Sequence, residues 1–312
     1  MGKKNSFTLL ILSVFLIIFP FVTTNTYYLS TMIFVGIHGI IAIGLCLLMG
    51  YAGQISIGHA AFFGLGAYTS AVLTSRFGFH PWSAFFLGVL LSSVVALAIG
   101  IPSLKLKGHY LAMATLGFGE ITYIVFNELT DLTGGPPGMG DIPRISLVGF
   151  MVNTDVKYYF FVWAFLIFIL VVSLNLINSR IGRALRSIHD SEIAASAMGV
   201  NTSKLKLQIF VISAIFASIA GSLYTHYVTF VSPSSFSLSF SILLVMMVVI
   251  GGMHNLWGAL IGAGLLTIMP EFLRALKDFE ILVYGAILLI IMIYMPKGLI
   301  GGLGYLFNRF KK

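Results

Sequence analysis

The sequence predicts an all-α polytopic membrane protein, and three observations carry that reading. Of 312 residues, 58% are hydrophobic and only 9% are charged, against roughly 25% charge in an average soluble domain. Mean hydropathy is +1.01, so the chain has too little polar material to cover a water-facing surface of its size. Apolar runs near the length needed to cross the hydrocarbon, about 20 residues, recur ten times. Disorder, collagen and disulfide scaffolds are excluded as well, because the chain is apolar and has 9 Pro and 1 Cys. That one thiol, Cys46, has no partner within the chain.

Taken in order, the first run, Phe7–Val22, follows Lys3 and Lys4 and resembles a signal peptide in outline. No small-residue cleavage site follows at Phe21–Asn25, so it is read as an uncleaved first helix. The next spans are Thr31–Met49, Ile55–Ser75, Trp82–Ile101, His109–Phe126, Lys157–Ile177 and Leu207–Phe230. Phe240–Met253 and Trp257–Phe272 are short, and read either as two tilted spans or as one span plus a re-entrant piece. Ile281–Met295 is the tenth. No stretch is long enough for a separate soluble domain, so residues 1–312 are expected to form one transmembrane domain.

Charge sets the orientation. With a cytoplasmic N-terminus, 13 of the 18 Lys and Arg fall on the cytoplasmic side. Seven of the 10 acids fall on the other, and only Asp190 and Glu192 join the basic side. Lys and Arg are retained in cytoplasmic loops, and one missed span would invert the alternation. The count is therefore expected to be even, with both termini in the cytoplasm. The net charge of +8 records topology and implies no nucleic-acid partner.

Three stretches depart from plain lipid-facing helix. Gly50–Tyr68 contains five Gly, with Gln54, Ser56 and His59 among them. It reads either as a Gly-rich packing seam or as a broken helix lining a path, since non-helical backbone at membrane depth survives only against a cavity or other protein. In the fifth span Glu120 is the one acid inside a predicted helix, with Thr115 and Gly117 nearby. A buried carboxylate there costs about 2.5–3.5 kcal/mol and usually faces a cavity or a partner; a small shift in the span would instead place it at the outer interface. The Thr133–Gly140 loop beyond it is tight-turn chemistry, either a connector or a docking surface. The third stretch is the long basic loop, residues 178–206. Arg180, Arg183 and Arg186 recur every three residues, which suits one face of a short helix. Asp190 or Ser191 is placed to cap a second helix with Glu192 in its first turn. Ala194, Ala195 and Ala197 give that helix a smooth surface, and Gly199 is a natural stop. It reads as a docking element or as an ordinary positive-inside loop.

Other chemistries are missing from the sequence. There is no Gly-x-x-x-x-Gly-Lys-[Ser/Thr] loop to cradle phosphate, no His-Glu-x-x-His, no nucleophile elbow and no Cys/His cluster. No catalytic residue, metal or cofactor is expected.

Four segments together resemble a known family. They are Gly50-Tyr-Ala-Gly-Gln-Ile-Ser-Ile-Gly-His-Ala-Ala-Phe62, Leu106-Lys-Gly-His-Tyr-Leu-Ala-Met-Ala-Thr-Leu116, Gly182-Arg-Ala-Leu-Arg-Ser-Ile-His-Asp-Ser-Glu-Ile-Ala-Ala-Ser-Ala-Met-Gly199 and Gly251-Gly-Met-His-Asn-Leu-Trp-Gly258. They look like the branched-chain amino acid ABC transporter permeases of the LivM type, from about Thr31 to Leu299. Glu192-x-Ala194-Ala195 with Gly199 resembles the Glu-Ala-Ala loop of ABC importer permeases. Ser196 and the His189-Asp190 pair depart from the usual residues there.

The resemblance implies an ABC importer permease fold in a bacterial or archaeal cytoplasmic membrane. It implies a second permease of the LivH type, cytoplasmic ATPase subunits that hydrolyse the ATP, and an extracytoplasmic binding protein delivering Leu, Ile or Val. Urea, short amides and other amino acids are the alternative substrates. A self-contained secondary transporter or channel, and a structural subunit with no path, are the rivals from other classes. On this reading Arg183, Arg186, Asp190, Glu192, Ala194, Ala195 and Gly199 couple to the ATPase. Gln54, Ser56, His59, Thr115 and Glu120 face the path, and lipid surrounds the rest.

Overall fold

A computed structural model describes residues 3–272, apart from 24, 104, 105, 107, 148, 149, 152 and 153, and isolated positions between 282 and 301. The elements are α1 (Lys3–Val22), α2 (Thr26–Leu45), α3 (His59–Ser75), α4 (Pro81–Ser103), α5 (His109–Glu128), α6 (Thr130–Thr133), α7 (Asp155–Asn178), α8 (Arg180–Asp190), α9 (Glu192–Ala197), α10 (Thr202–Val228), α11 (Leu238–Gly251) and α12 (Leu256–Phe272). A π-helical segment, Cys46–Tyr51, continues α2, and a 3₁₀ turn, Pro233–Phe236, precedes α11. Among the described residues the chain departs from all-α in a short ribbon and one isolated bridge. A two-residue antiparallel ribbon pairs Ser146 with Met151 and Leu147 with Phe150, in the connection between α6 and α7.

Six stretches among the described residues are long and apolar enough to cross a membrane: Asn5–Val22, Thr26–Tyr51, Pro81–Ser103, Asp155–Asn178, Thr202–Val228 and Pro233–Gly251. That is fewer than the ten expected, which would also need the shorter or more polar α3, α5 and α12. The span expected at Ile55–Ser75 is helical only from His59. Its 17 residues rise about 25 Å, short of a 30 Å hydrocarbon core. α5 has 20 residues but carries His109, Glu120 and Glu128. α11 and α12 are two antiparallel helices joined by a turn at 252–255, packed so tightly that Gly251 faces Gly258 and Gly262 faces the Met247 carbonyl. Most of the tenth span, Ile281–Met295, lies outside the described residues.

α2 is the hub. It packs on α7, α12, α10 and α11, and Ile33, Ile37, Ile40, Ile41 and Ile43 on it are fully buried. Its apolar residues surround the helix instead of forming a stripe, as befits a helix enclosed by others. α3 lies against α10 and α4. α1 is peripheral: Phe7, Leu10, Phe15 and Phe21 are exposed, and it is tied in by the Tyr159 hydroxyl donating to the Leu16 carbonyl at 3.1 Å.

Two opposite ends are defined by their contacts. At one, the Thr133–Gly140 turns bring Met139 into an antiparallel bridge with Val231, and His226 Nδ1 meets the Pro143 carbonyl at 2.7 Å. At the other, α8 packs under the π-helical end of α2 and meets the 252–255 turn through His189, and α9 lies against α8 and α10. This second end carries Arg180, Arg183, Arg186, Lys204 and Lys206, and is called the basic end below.

Candidate functional site

The site begins where α2 stops being a regular helix. The π segment ends with the Ala52 amide donating to the Leu47 carbonyl at 3.2 Å and the Gln54 amide to the Leu48 carbonyl at 3.1 Å. Such wide turns concentrate at functional positions. The backbone then runs without helix from Gly53 to Gly58 before α3 starts. Gly53 has φ +66, the left-handed region that favours glycine. Gly58 crosses α5 so closely that a Cβ there would collide with the Thr115 carbonyl. The sequence reading of a broken helix thus has a physical form here, and the glycines are where it bends and where it crosses.

The polar residues of the break are joined to one another. Thr115 Oγ1 accepts the Ile57 amide at 3.1 Å. Ser56 Oγ lies 2.9 Å from His59 Nδ1, and His59 Nε2 lies 2.6 Å from Ser213 Oγ on α10. The Ala60 amide, in the open first turn of α3, donates to Ser241 Oγ of α11 at 3.2 Å. Ser213 is eleven residues along α10 from Thr202, about 16 Å at 1.5 Å per residue. α3 therefore starts well inside the helical layer, and its first turn is held by side chains from α5, α10 and α11. Ser56, His59 and Thr115 are each 1–2% exposed.

Gln54 and Glu120 stand apart from that network. Gln54 is 2% exposed, yet neither its Oε1 nor its Nε2 has a hydrogen-bond partner. A buried amide left so costs about 1–3 kcal/mol. Glu120 is half-buried and has no hydrogen bond or ion pair among the described residues. It lies on the outward face of α5 with Met113, Ile121 and Ile124 exposed beside it. One turn earlier, a Cβ at Gly117 would have no neighbour within 4 Å. The neighbouring face of α5 carries Gly119, which packs against Gly58.

At the basic end, Ser179 Oγ caps α8 by accepting the Ile181 and Gly182 amides. Ser191, not Asp190, caps α9, accepting the Ala194 amide at 3.3 Å, so Glu192 falls in the first turn. Gly199 follows with φ +82, the left-handed stop a helix end favours. Glu192 forms a 2.7 Å ion pair with Lys206 of α10. Ala195 is 2% exposed and faces its own chain. The smooth alanine surface expected for this helix thus loses Ala195, which is turned inward where α9 packs on α8 and α10, while Ala194 and Ala197 are exposed. The residues turned outward are Ile193, 80% exposed, and Met198, 85% exposed. The sequence reading missed both, because their exposure depends on that packing. Ala194 is exposed between them.

Arg186 turns back to its own chain. Its Nη2 donates to the Ile177 carbonyl at 2.7 Å, and its guanidinium sits 5.7 Å from the Tyr51 ring centroid. The Tyr51 hydroxyl donates to the His254 carbonyl at 2.9 Å. The His254 ring meets His189 edge-on at 4.8 Å, and His189 lies against Gly53. Tyr51 and His254 were not named as site residues; both lie in the segments that carry the resemblance, but nothing in the sequence pairs them, since the contact spans 203 residues. Arg183 and Asp190 are exposed on the same surface.

A multi-pass helical membrane protein with a helix broken inside its core, and a capped pair of helices outside it, is built as a transport subunit. The family described as "branched-chain amino acid transport system / permease component" matches residues 27–295, and the chain belongs to it. Similar proteins include the high-affinity branched-chain amino acid permease protein LivM of Salmonella typhimurium, 33% identical over 95% of this chain and 75% of that one. The LivM protein of Escherichia coli K12 is 32% identical with the same coverage. The LivH protein of Escherichia coli K12 is 25% identical over 85% of this chain and 91% of that one. No solved structure matches.

Proposed function

We propose that this chain is one of two permease subunits of an ATP-driven importer for branched-chain amino acids, working by alternating access in a bacterial or archaeal cytoplasmic membrane. Residues 1–312 act as one permease domain, with the basic end and both termini in the cytoplasm. The second permease is of the LivH type, the ATPase is a separate cytoplasmic subunit, and a binding protein delivers substrate from outside. Similarity to both LivM and LivH proteins supports a related pair, and the relatives' names support Leu, Ile or Val as substrate.

The observation that carries the reading is α9. Two large apolar side chains, Ile193 and Met198, stand almost fully exposed beyond the membrane layer, on a helix capped at both ends. Exposed apolar knobs off the membrane mark a protein contact. In a chain without a phosphate loop of its own, the fitting occupant is the ATPase. Ala194 completes that surface and Arg183 and Asp190 flank it. Glu192 through Lys206, Ala195 through its packing, and Arg186 through Tyr51 transmit its movement inward. The route continues through His189 to Gly53, the hinge of the break.

In the membrane, the path runs along the outward face of α5, where the second permease covers Glu120. That carboxylate accepts the substrate's ammonium group, and the apolar side chain of Leu, Ile or Val lies on Met113, Gly117 and Ile124. Gln54 gains its missing partner when the break moves. Ser56, His59 and Thr115 hold the break in this conformation and meet the path when it opens. The test is reconstitution with the partner subunits and binding protein, comparing uptake of labelled leucine with labelled urea. ATP-dependent leucine uptake without urea uptake is expected; urea alone, or uptake without ATP, overturns the reading.

A further inference from the structure

A groove of about 540 Å³ opens at the basic end between α4, α7, α8 and α10. Leu97, Leu176, Ile181, Leu185 and Val211 line it, and Lys204 stands among them. Lys204 marks its surface end. Val211 lies seven residues further along α10, about 10 Å at 1.5 Å per residue. Leu97 lies six residues before the end of α4, about 9 Å. The groove thus runs from the basic surface into one leaflet's share of the hydrocarbon, about 15 Å.

Its chemistry is divided along its length. The inner part is aliphatic, so water gains few hydrogen bonds there. The mouth carries the Lys204 ammonium, which is exposed and has no side-chain partner among the described residues, whereas Lys206 close by is paired with Glu192. Arg180, also exposed, precedes the lining residue Ile181. No Asp or Glu lines the groove. An aliphatic slot with a cation at its mouth, at the level of the lipid headgroups, matches a molecule with an acyl chain and a phosphate. Basic pockets between helices on the cytoplasmic side select anionic headgroups in this way.

We propose that this groove binds an anionic phospholipid, with one acyl chain against Leu97, Leu176 and Val211 and its phosphate on Lys204. Ile181 and Leu185 form one wall of the groove, and both belong to α8. The bound lipid therefore braces the helix that leads into the exposed α9 surface. The inference rests on the groove and on the basic end facing the cytoplasm as proposed above, and holds whatever the chain transports.

The test is native mass spectrometry of the full chain, purified in detergent and given equal amounts of phosphatidylglycerol and phosphatidylcholine of the same acyl composition. One retained phosphatidylglycerol, favoured about fivefold, is expected, since a basic residue near the surface contributes about that factor. Lys204→Glu, a surface change that leaves the fold intact, removes the preference. Val211→Trp fills the slot and removes retention of both lipids, while Phe7→Trp, on the exposed face of α1, leaves retention unchanged. Equal retention of the two lipids by the native chain overturns the proposal. So does an undiminished preference in Lys204→Glu, or full retention in a folded Val211→Trp chain.

Discussion

His59 and Glu120 are both ionisable residues within apolar helices, and the structure gives them opposite surroundings. His59 is hydrogen-bonded through both ring nitrogens, to Ser56 and Ser213, so its loss leaves two hydroxyls unsatisfied. His59→Ala is expected to cost about 1–3 kcal/mol, read as a lowered melting temperature in detergent. In a double-mutant cycle with Ser213→Ala the two effects fall short of additive, because they remove the same contact. Glu120 has no such tie, so Glu120→Gln leaves the melting temperature unchanged. In the reconstituted importer it raises the leucine KM about tenfold, the size of one charge-assisted contact. A Cys at position 120 reacts with small aqueous reagents while a Cys at 59 is protected in the resting state; the reverse pattern contradicts the placement of the path on α5.

At the scale of elements, the break and the α8–α9 pair are one unit. Gly58→Ala places a Cβ against the Thr115 carbonyl, forcing α3 and α5 apart. Substrate uptake is expected to fall at least tenfold with the assembled complex still recoverable by affinity purification. The turn that carries His254 is expected to respond to pH. Burial first, and then the neighbouring His189, lower the His254 pKa from its ordinary 6.5, against a smaller upward pull from Asp190. The unfolded chain therefore takes up its proton at a higher pH than the folded turn does. The turn is fully stable above about pH 6.5 and weakens as pH falls through that value toward the lowered folded pKa. His254→Gln, which removes the titrating group, flattens that part of the pH–stability curve; an unchanged slope contradicts the assignment.

For the whole molecule, the class was legible because it depends on composition summed over long stretches. The break was legible too, since Gly50, Gly53 and Gly58 are local signals. What holds the break was not, because Ser213 lies 154 residues from His59 and Ser241 lies 181 residues from Ala60, and both read as ordinary helix serines. The outward face of α9 was hidden for a different reason: a six-residue helix shows no periodicity from which its packed side could be read. On the proposed function, this face couples a separate ATPase to a path in the membrane. The most direct test of that coupling is to measure ATP hydrolysis and leucine uptake in the same vesicles for native chain and an Ile193→Asp, Met198→Asp variant. The variant is expected to keep the native melting temperature, lose the associated ATPase and take up less than about a tenth as much leucine. A folded variant that retains the ATPase and transports leucine at the native rate would contradict it.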